Sequence, residues 1–437
     1  VDVVVYGSRP AGGEPPAPAS VALAAKPYTR VELRLGDFLA ADYVSATVGV
    51  DGGGVLVEHR VNGPQGSDRA PCSSVSSPTW TVPVGATDTT AANALAREVL
   101  VFFNPFPADA VLDPRFSTEA GERGTPEDLI GLVVPGRSVV AVDLAAADLT
   151  VSTEVAAQIT ARAGRVVVDR IQTYADPETG RAGVALSPGV PASAAAWVFP
   201  VGELGPNRRE LLVVANQGEL PADVDVEVRP LVDDMAPEPF ELTVQPNRHV
   251  ALDLWSEIAQ RQAMSAPPTS EPQPPTIAQP VPYTLVVRTA DGTQVSAERL
   301  TWGVPGQPGG GVSVSNGSAV AGTRLVADLT GAEAGSRLVL FNPSTESVAR
   351  VQLSIIGDGQ RREPAAVTTV DVEPGSSRAV PVEQLGSGQL VVIMESSSPV
   401  VAERDMVEGT ERSIATAVPD ADTVSMLDLL VFADLGG

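Results

Sequence analysis

Cysteine occurs once in the 437 residues, at Cys72, so neither an intrachain disulfide nor a cysteine-based metal site can form. Histidine occurs twice, at His59 and His249, with no His-x-x-His spacing to suggest a metal pair. Lys26 is the only lysine; the other basic residues are arginines, and 29 bases against 54 acids leave a net charge of −25. An acidic chain without a basic stretch argues against nucleic acid or an anionic membrane surface as partner. No apolar run approaches the length of a membrane span. No signal peptide is visible either, but the chain opens without Met in a strand-like run at 1–6, which reads as a processed or trimmed product. Aromatic residues make up only 4%, so the few tryptophans serve as landmarks.

What is abundant is glycine (40), proline (39) and valine in short runs, with almost no helical periodicity. This composition predicts an all-β protein. The pattern Val167-Val168-Asp169-Arg170 recurs as His59-Arg60 after Glu58, as Glu298-Arg299 and as Glu403-Arg404. The arginines are 110, 129 and 105 residues apart, a period of about one small domain. Two more markers keep the same order. A proline just ahead of an arginine and an apolar run occurs at Pro27, Pro135, Pro246 and Pro374, and an apolar strand ends in asparagine at Asn104, Asn216 and Asn342. Tandem β-sandwich repeats of about 110 residues follow from this phasing, each with seven or eight strands.

The expected divisions are an incomplete repeat at 1–62, full repeats at 63–178, 179–303 and 304–424, and a C-terminal strand at 425–437. Stretches 151–159 and 165–171 read as a hairpin turned at Ala163-Gly164, and 283–299 reads as its counterpart. In the third repeat a short helix is expected at 255–264. A Pro-rich insertion at 265–282, PPII-like in composition, accounts for the longest interval. The tail at 428–437 resembles the strand that precedes Ala222, and 1–5 resembles the strand beginning at Ala222. The C-terminal strand is therefore expected to complete the N-terminal sandwich; loss of the true N-terminus is the alternative.

Candidate chemistry is sparse. No Gly-x-Ser-x-Gly elbow accompanies the two histidines, and Cys72 lies in a Ser/Pro-rich turn with no basic neighbour in sequence. The chain is expected not to be an enzyme and to use no cofactor or metal. The best binding candidates are Trp80, Trp197 and Trp302 near loops, where a ring can stack on a sugar, and the recurring Arg60, Arg170, Arg299 and Arg404. A buried core role for the tryptophans and a pairing role for the arginines are the favoured alternatives. Neighbours on a strand face opposite sides, so one member of each acidic-Arg pair is expected to point inward.

The order from Trp80 to Gly85, Phe103-Asn104-Pro105, Pro135-Gly136-Arg137 and Val167-Val168-Asp169-Arg170 resembles a family of secreted actinobacterial proteins of unknown function. A single repeat is also similar, more distantly, to the small β-sandwich of the Anabaena sensory rhodopsin transducer. The first resemblance implies an extracellular or cell-envelope setting, and the second a sandwich fold with sugar binding as a suggestion. The expected function is a structural or interaction module that meets a cell-surface protein or glycan. A lectin-like module is the first alternative. The second is a hydrolase, which would need His59 or His249 beside a serine and a carboxylate in a cleft.

Overall fold

The computed structural model describes residues 1–10, 13–90, 95–205, 207–231, 237–258 and 280–427. These residues are nearly all β, with only short helical turns between strands. They fall into two units. The N-terminal unit comprises Val1–Asp176, Gly183–Ala192 and Gly357–Arg361; the C-terminal unit comprises Pro177–Ala182, Ser193–Ile356 and Arg362–Gly437.

In the N-terminal unit two sheets face each other. One holds Thr79–Val82, Val155–Ala163, Ala110–Thr118, Gly121–Gly124 and Leu132–Val134; the other holds Ala96–Asn104, Ser138–Asp143, Val167–Asp176 and Arg181–Pro188 with two short edge strands. Trp80, Val82, Leu112, Phe116 and Ile159 from the first sheet meet Leu100, Phe102 and Val168 from the second in one core. The Ala96–Asn104 strand is apolar on both faces because both are covered. Leu100 and Phe102 enter that core, while Val99, Val101 and Phe103 pack with Tyr6 and Val139 on the other side. Tyr6 comes from Asp2–Gly7, the middle strand of a three-stranded sheet with Ala19–Ala22 and Val44–Gly49. A separate hairpin pairs Glu58–Gly63 with Gly66–Pro71.

The C-terminal unit contains two four-stranded sheets. Ala196–Leu204, Val281–Thr289, Ala222–Pro230 and Phe240–Val244 form one; Arg248–Asp253, Arg208–Asn216, Ser296–Gly303 and Ser313–Asn316 form the other. In Ala222–Pro230 the alternation Ala-Asp-Val-Asp-Val-Glu-Val buries Ala222, Val224, Val226 and Val228, as a period of two requires. The remaining strands assemble around Val391–Glu408, which is 18 residues long. Its first half pairs with Val320–Asp328 and Ala349–Gly357, and its second half with Arg337–Phe341 and Glu411–Thr416. One continuous strand thus does here what two successive strands do in the second and third copies.

That comparison corrects the expected hairpins. Val155–Ala163 and Val167–Asp176 do not pair; they lie in facing sheets. The link between them passes through Gly164, whose positive φ and tight approach to Ala110 both disfavour a side chain. Val281–Thr289 and Ser296–Gly303 are split between sheets in the same way. The sheets also run past the expected divisions at 178 and 303, because Arg181–Pro188 joins Val167–Asp176 and Ser313–Asn316 joins Ser296–Gly303. The expected helix is present over the described residues 254–258. Its continuation to 264, the Pro-rich stretch at 265–279 and the tail at 428–437 lie outside the described residues, and so does the expected completion of the first sandwich. Val424–Met426 pairs with Val320–Asp328 of the fourth copy.

Candidate functional site

The three asparagine markers make the same three hydrogen bonds. The Asn104 side-chain amide donates to Ala108 O at 2.8 Å and Val134 O at 3.0 Å, and its Oδ1 accepts Phe106 N–H at 3.0 Å. Asn216 donates to Leu220 O and Val244 O and accepts from Gly218 N–H. Asn342 donates to Ser347 O and Val372 O and accepts from Ser344 N–H. All three are buried. Each closes its own turn and clamps the end of a strand that follows about 30 residues later, so buried backbone carbonyls keep partners.

The proline marker is a turn, and its arginine is incidental. The residue that recurs is the one with positive φ: Arg137, Asn247 and Gly375, with Tyr28 in the first copy. In two copies the residue after it, Ser138 or Arg248, stands opposite the asparagine. In the fourth, Ser376 O accepts the Asn342 N–H.

The tryptophans that carried the glycan-binding alternative are buried, at 1% exposure for Trp80, 4% for Trp197 and 6% for Trp302. The indole N–H of Trp80 donates to Val166 O at 2.9 Å, and that of Trp197 donates to Val295 O at 2.9 Å. Both acceptors stand four residues before the marker arginine. Trp302 donates to Thr179 O at 3.1 Å, and the Arg181 guanidinium lies 4.6 Å from the centre of its ring. The glycine that ends each Trp-to-Gly stretch has a packing cause. A Cβ at Gly85 would strike the Glu98 carboxylate, and one at Gly202 the Tyr283 ring.

Arg170, Arg299 and Arg404 occupy one register, opposite Leu100, Leu212 and Leu338 of the asparagine strands. All are fully buried. Each reaches a serine on the next strand: Arg170 donates to Ser187 Oγ and Val84 O, Arg299 to Ser315 Oγ at 3.3 Å, and Arg404 to Ser413 Oγ at 3.3 Å. Arg60 departs from the series. It is exposed, and it donates to Asn62 Oδ1 and Ser67 Oγ along its own hairpin. Facing opposite sides of the strand does not take the acid to solvent in the third and fourth copies. Glu298 and Glu403 are as buried as the arginines beside them.

Arg299 centres a polar cluster that sequence reasoning missed. It lies 3.1 Å from Glu403 Oε2 and 3.8 Å from Glu210 Oε2, and its guanidinium sits over the Phe199 ring. The Tyr283 hydroxyl donates to Glu210, and Val201 N–H donates to Glu403 at 2.8 Å. Arg337 bridges Asp405 at 3.1 Å and Glu203 at 3.3 Å, and Arg412 also meets Asp405. Burial pushes the Glu210, Glu403 and Asp405 carboxyls up, with the arginines pulling the other way. Burial works against the charge on Arg299, but Glu403 and then Glu210 hold it above its ordinary value. Burial, and then Glu210, raises the Tyr283 hydroxyl well above its ordinary value. A hint was present in sequence: Glu98 and Glu210 stand two residues before Leu100 and Leu212, in phase with the repeat.

A second constellation lies in the N-terminal unit. His59 sits on Glu58–Gly63 opposite Ala70, and Cys72 follows the partner strand with its N–H bonded to Val57 O. Buried Asp68 anchors this hairpin by accepting Leu186 N–H at 2.8 Å. His59 Nδ1 lies 3.6 Å from Cys72 Sγ, and Nε2 lies 2.6 Å from Asp169 Oδ2. The other Asp169 oxygen accepts Arg170 N–H at 2.9 Å. Cys72 is exposed. Burial opposes the charged imidazole, but the Asp169 carboxylate, aided by Cys72, outweighs it and holds His59 well above its ordinary value. Cys72 therefore does have a basic neighbour, supplied by the strand pairing rather than by the local sequence. His249 is buried in a different sheet, opposite Ala215.

Among the described residues no helix is long and apolar enough to cross a membrane. No curated protein and no solved structure matches the chain. Over residues 276–427, from the second half of the third copy through the fourth and including the Arg299–Glu403 contact, the chain matches the model of a family of unknown function, DUF5719.

Proposed function

We propose that the protein is a non-catalytic structural or interaction module of tandem β-sandwiches, working outside the cytoplasm at the cell envelope or free of it. One observation carries the reading. Asn104, Asn216 and Asn342, which recur in phase, use their hydrogen bonds to hold the sheets together and are buried, as are Arg170, Arg299 and Arg404. The shared cores of the second and fourth copies fit tandem sandwiches. The resemblance to secreted actinobacterial proteins supports an extracytoplasmic setting. The partner in this reading is a surface protein met through exposed loops; a glycan partner loses its stacking aromatics, since the tryptophans are committed to the interior.

The experiment is a glycan array probed with the full chain at neutral pH, with and without calcium, beside fractionation of the producing cells. The module reading expects no defined glycan to be retained and the chain to be found outside the cytosol. Calcium-dependent retention of one glycan class would replace it with the lectin-like reading, and purely cytosolic chain would remove the envelope assignment.

A further inference from the structure

We infer that Cys72 is an activated thiol that takes a low-molecular-weight disulfide into a mixed disulfide, with His59 as its proton partner and Asp169 as the residue that orients His59. A nucleophile within hydrogen-bond reach of a base, and a third group fixing that base, is the arrangement that raises thiol reactivity. Here Sγ is 3.6 Å from Nδ1, and Nε2 is 2.6 Å from the Asp169 carboxylate. Three separate strands or strand ends supply the three groups, and the Asp68 bond to the Leu186 N–H holds the hairpin in place. The sulfur is open to solvent while the imidazole is largely covered. A reagent therefore reaches Sγ without displacing the proton partner.

With Nε2 protonated 2.6 Å from the Asp169 carboxylate, a second proton is shared between Nδ1 and Sγ. Sγ attacks one sulfur of the disulfide, a new sulfur–sulfur bond forms, and the old one breaks. The departing thiolate takes the proton from Nδ1 and leaves as a thiol. No net oxidant is required beyond the disulfide itself. Because Cys72 is the only cysteine, no second thiol in the chain can resolve the product. The adduct persists until an external thiol removes it, so the site works as a stoichiometric mark and sits beside the module reading without depending on it.

The test uses the full chain, with a nitrobenzoate disulfide for rates and oxidised glutathione for products at neutral pH. Folded protein is expected to react at least about tenfold faster than the same chain in denaturant, where the thiol is an ordinary one. His59→Gln and Asp169→Asn, checked for native circular dichroism, are expected to lower the folded rate to the denatured one. Intact mass should show one glutathione per chain, reversed by dithiothreitol. A folded rate no greater than the denatured rate overturns the proposal without any variant. So does an unchanged rate in folded His59→Gln. A disulfide-linked pair of chains in place of the glutathione adduct would also overturn it, by making a second copy the acceptor.

Discussion

Two contacts in the two units are built on the same marker position and behave differently. In the N-terminal unit the acid before the marker arginine, Asp169, meets His59 from the preceding copy. In the C-terminal unit the equivalent acid, Glu403, meets Arg299 from the preceding copy. The side chains of the first pair are 29% and 26% exposed; both members of the second are at 0%. The repeat fixes where the acid stands, while the surrounding layers decide what the contact is worth. Out of water, a permanent guanidinium between two carboxylates is an essential partner, because either acid alone would be an uncompensated buried charge. Near water, a histidine suffices, and it brings a proton that can be exchanged.

The largest effect should come from breaking the buried contact. Arg299→Met is expected to destabilise the C-terminal unit by about 3–5 kcal/mol, read by chemical denaturation. Adding Glu403→Leu and Glu210→Leu should return much of that loss, since no bare charge is then left inside. A single variant that costs nothing would mean that the cluster is wetter than its geometry implies. The asparagine clamps give a control that should not distinguish the units. Asn104→Ala and Asn342→Ala are each expected to cost about 2–3 kcal/mol through buried backbone groups left unpaired. A large difference between them would show that the copies differ in more than their junctions.

Breaking the half-buried contact should matter less. His59→Gln is expected to cost about 1 kcal/mol or less at neutral pH. Its sharper signature is pH dependence. The folded chain holds the His59 proton more tightly than the unfolded chain does, facing Asp169 and Cys72. The contact's stability is therefore complete below the ordinary histidine value of about 6.5 and is lost as pH rises through the raised folded value. The Glu210, Glu403 and Asp405 carboxyls are also raised, so their linked stability begins to fall earlier, from the ordinary carboxylate range upward. Denaturation followed from mildly acidic to alkaline pH should separate the two losses, and His59→Gln should flatten only the later one. The smallest effect is expected at the solvent-exposed Arg350–Asp371 pair, where Arg350→Ala should leave the melting temperature unchanged.

Much of the architecture was legible because the markers are the residues that geometry constrains most. Asparagine at a strand end, proline before a left-handed turn, and arginine in one register each leave a repeated trace in sequence. The hairpins were misread because periodicity records which face of a strand is buried, not which sheet it joins; Gly164 was the only local sign of a crossing. That both members of a pair are buried did not follow from alternation, for a related reason. Alternation assumes one wet face, and the apolar run at 99–103 already signalled that neither face is wet. The His59–Cys72–Asp169 group was not legible at all. Its members lie 13 and 110 residues from the histidine and meet only through pairing and packing.

The long strand Val391–Glu408 has a mechanical consequence. Where two sheets are joined by separate strands and a loop, a load on one sheet reaches the other through the loop and through side-chain contacts. In the fourth copy the load passes along a covalent backbone that is laddered to Val320–Asp328 and Ala349–Gly357 at one end and to Arg337–Phe341 and Glu411–Thr416 at the other. Sliding the sheets apart requires shearing those ladders together, so the fourth copy should yield last when the chain is pulled.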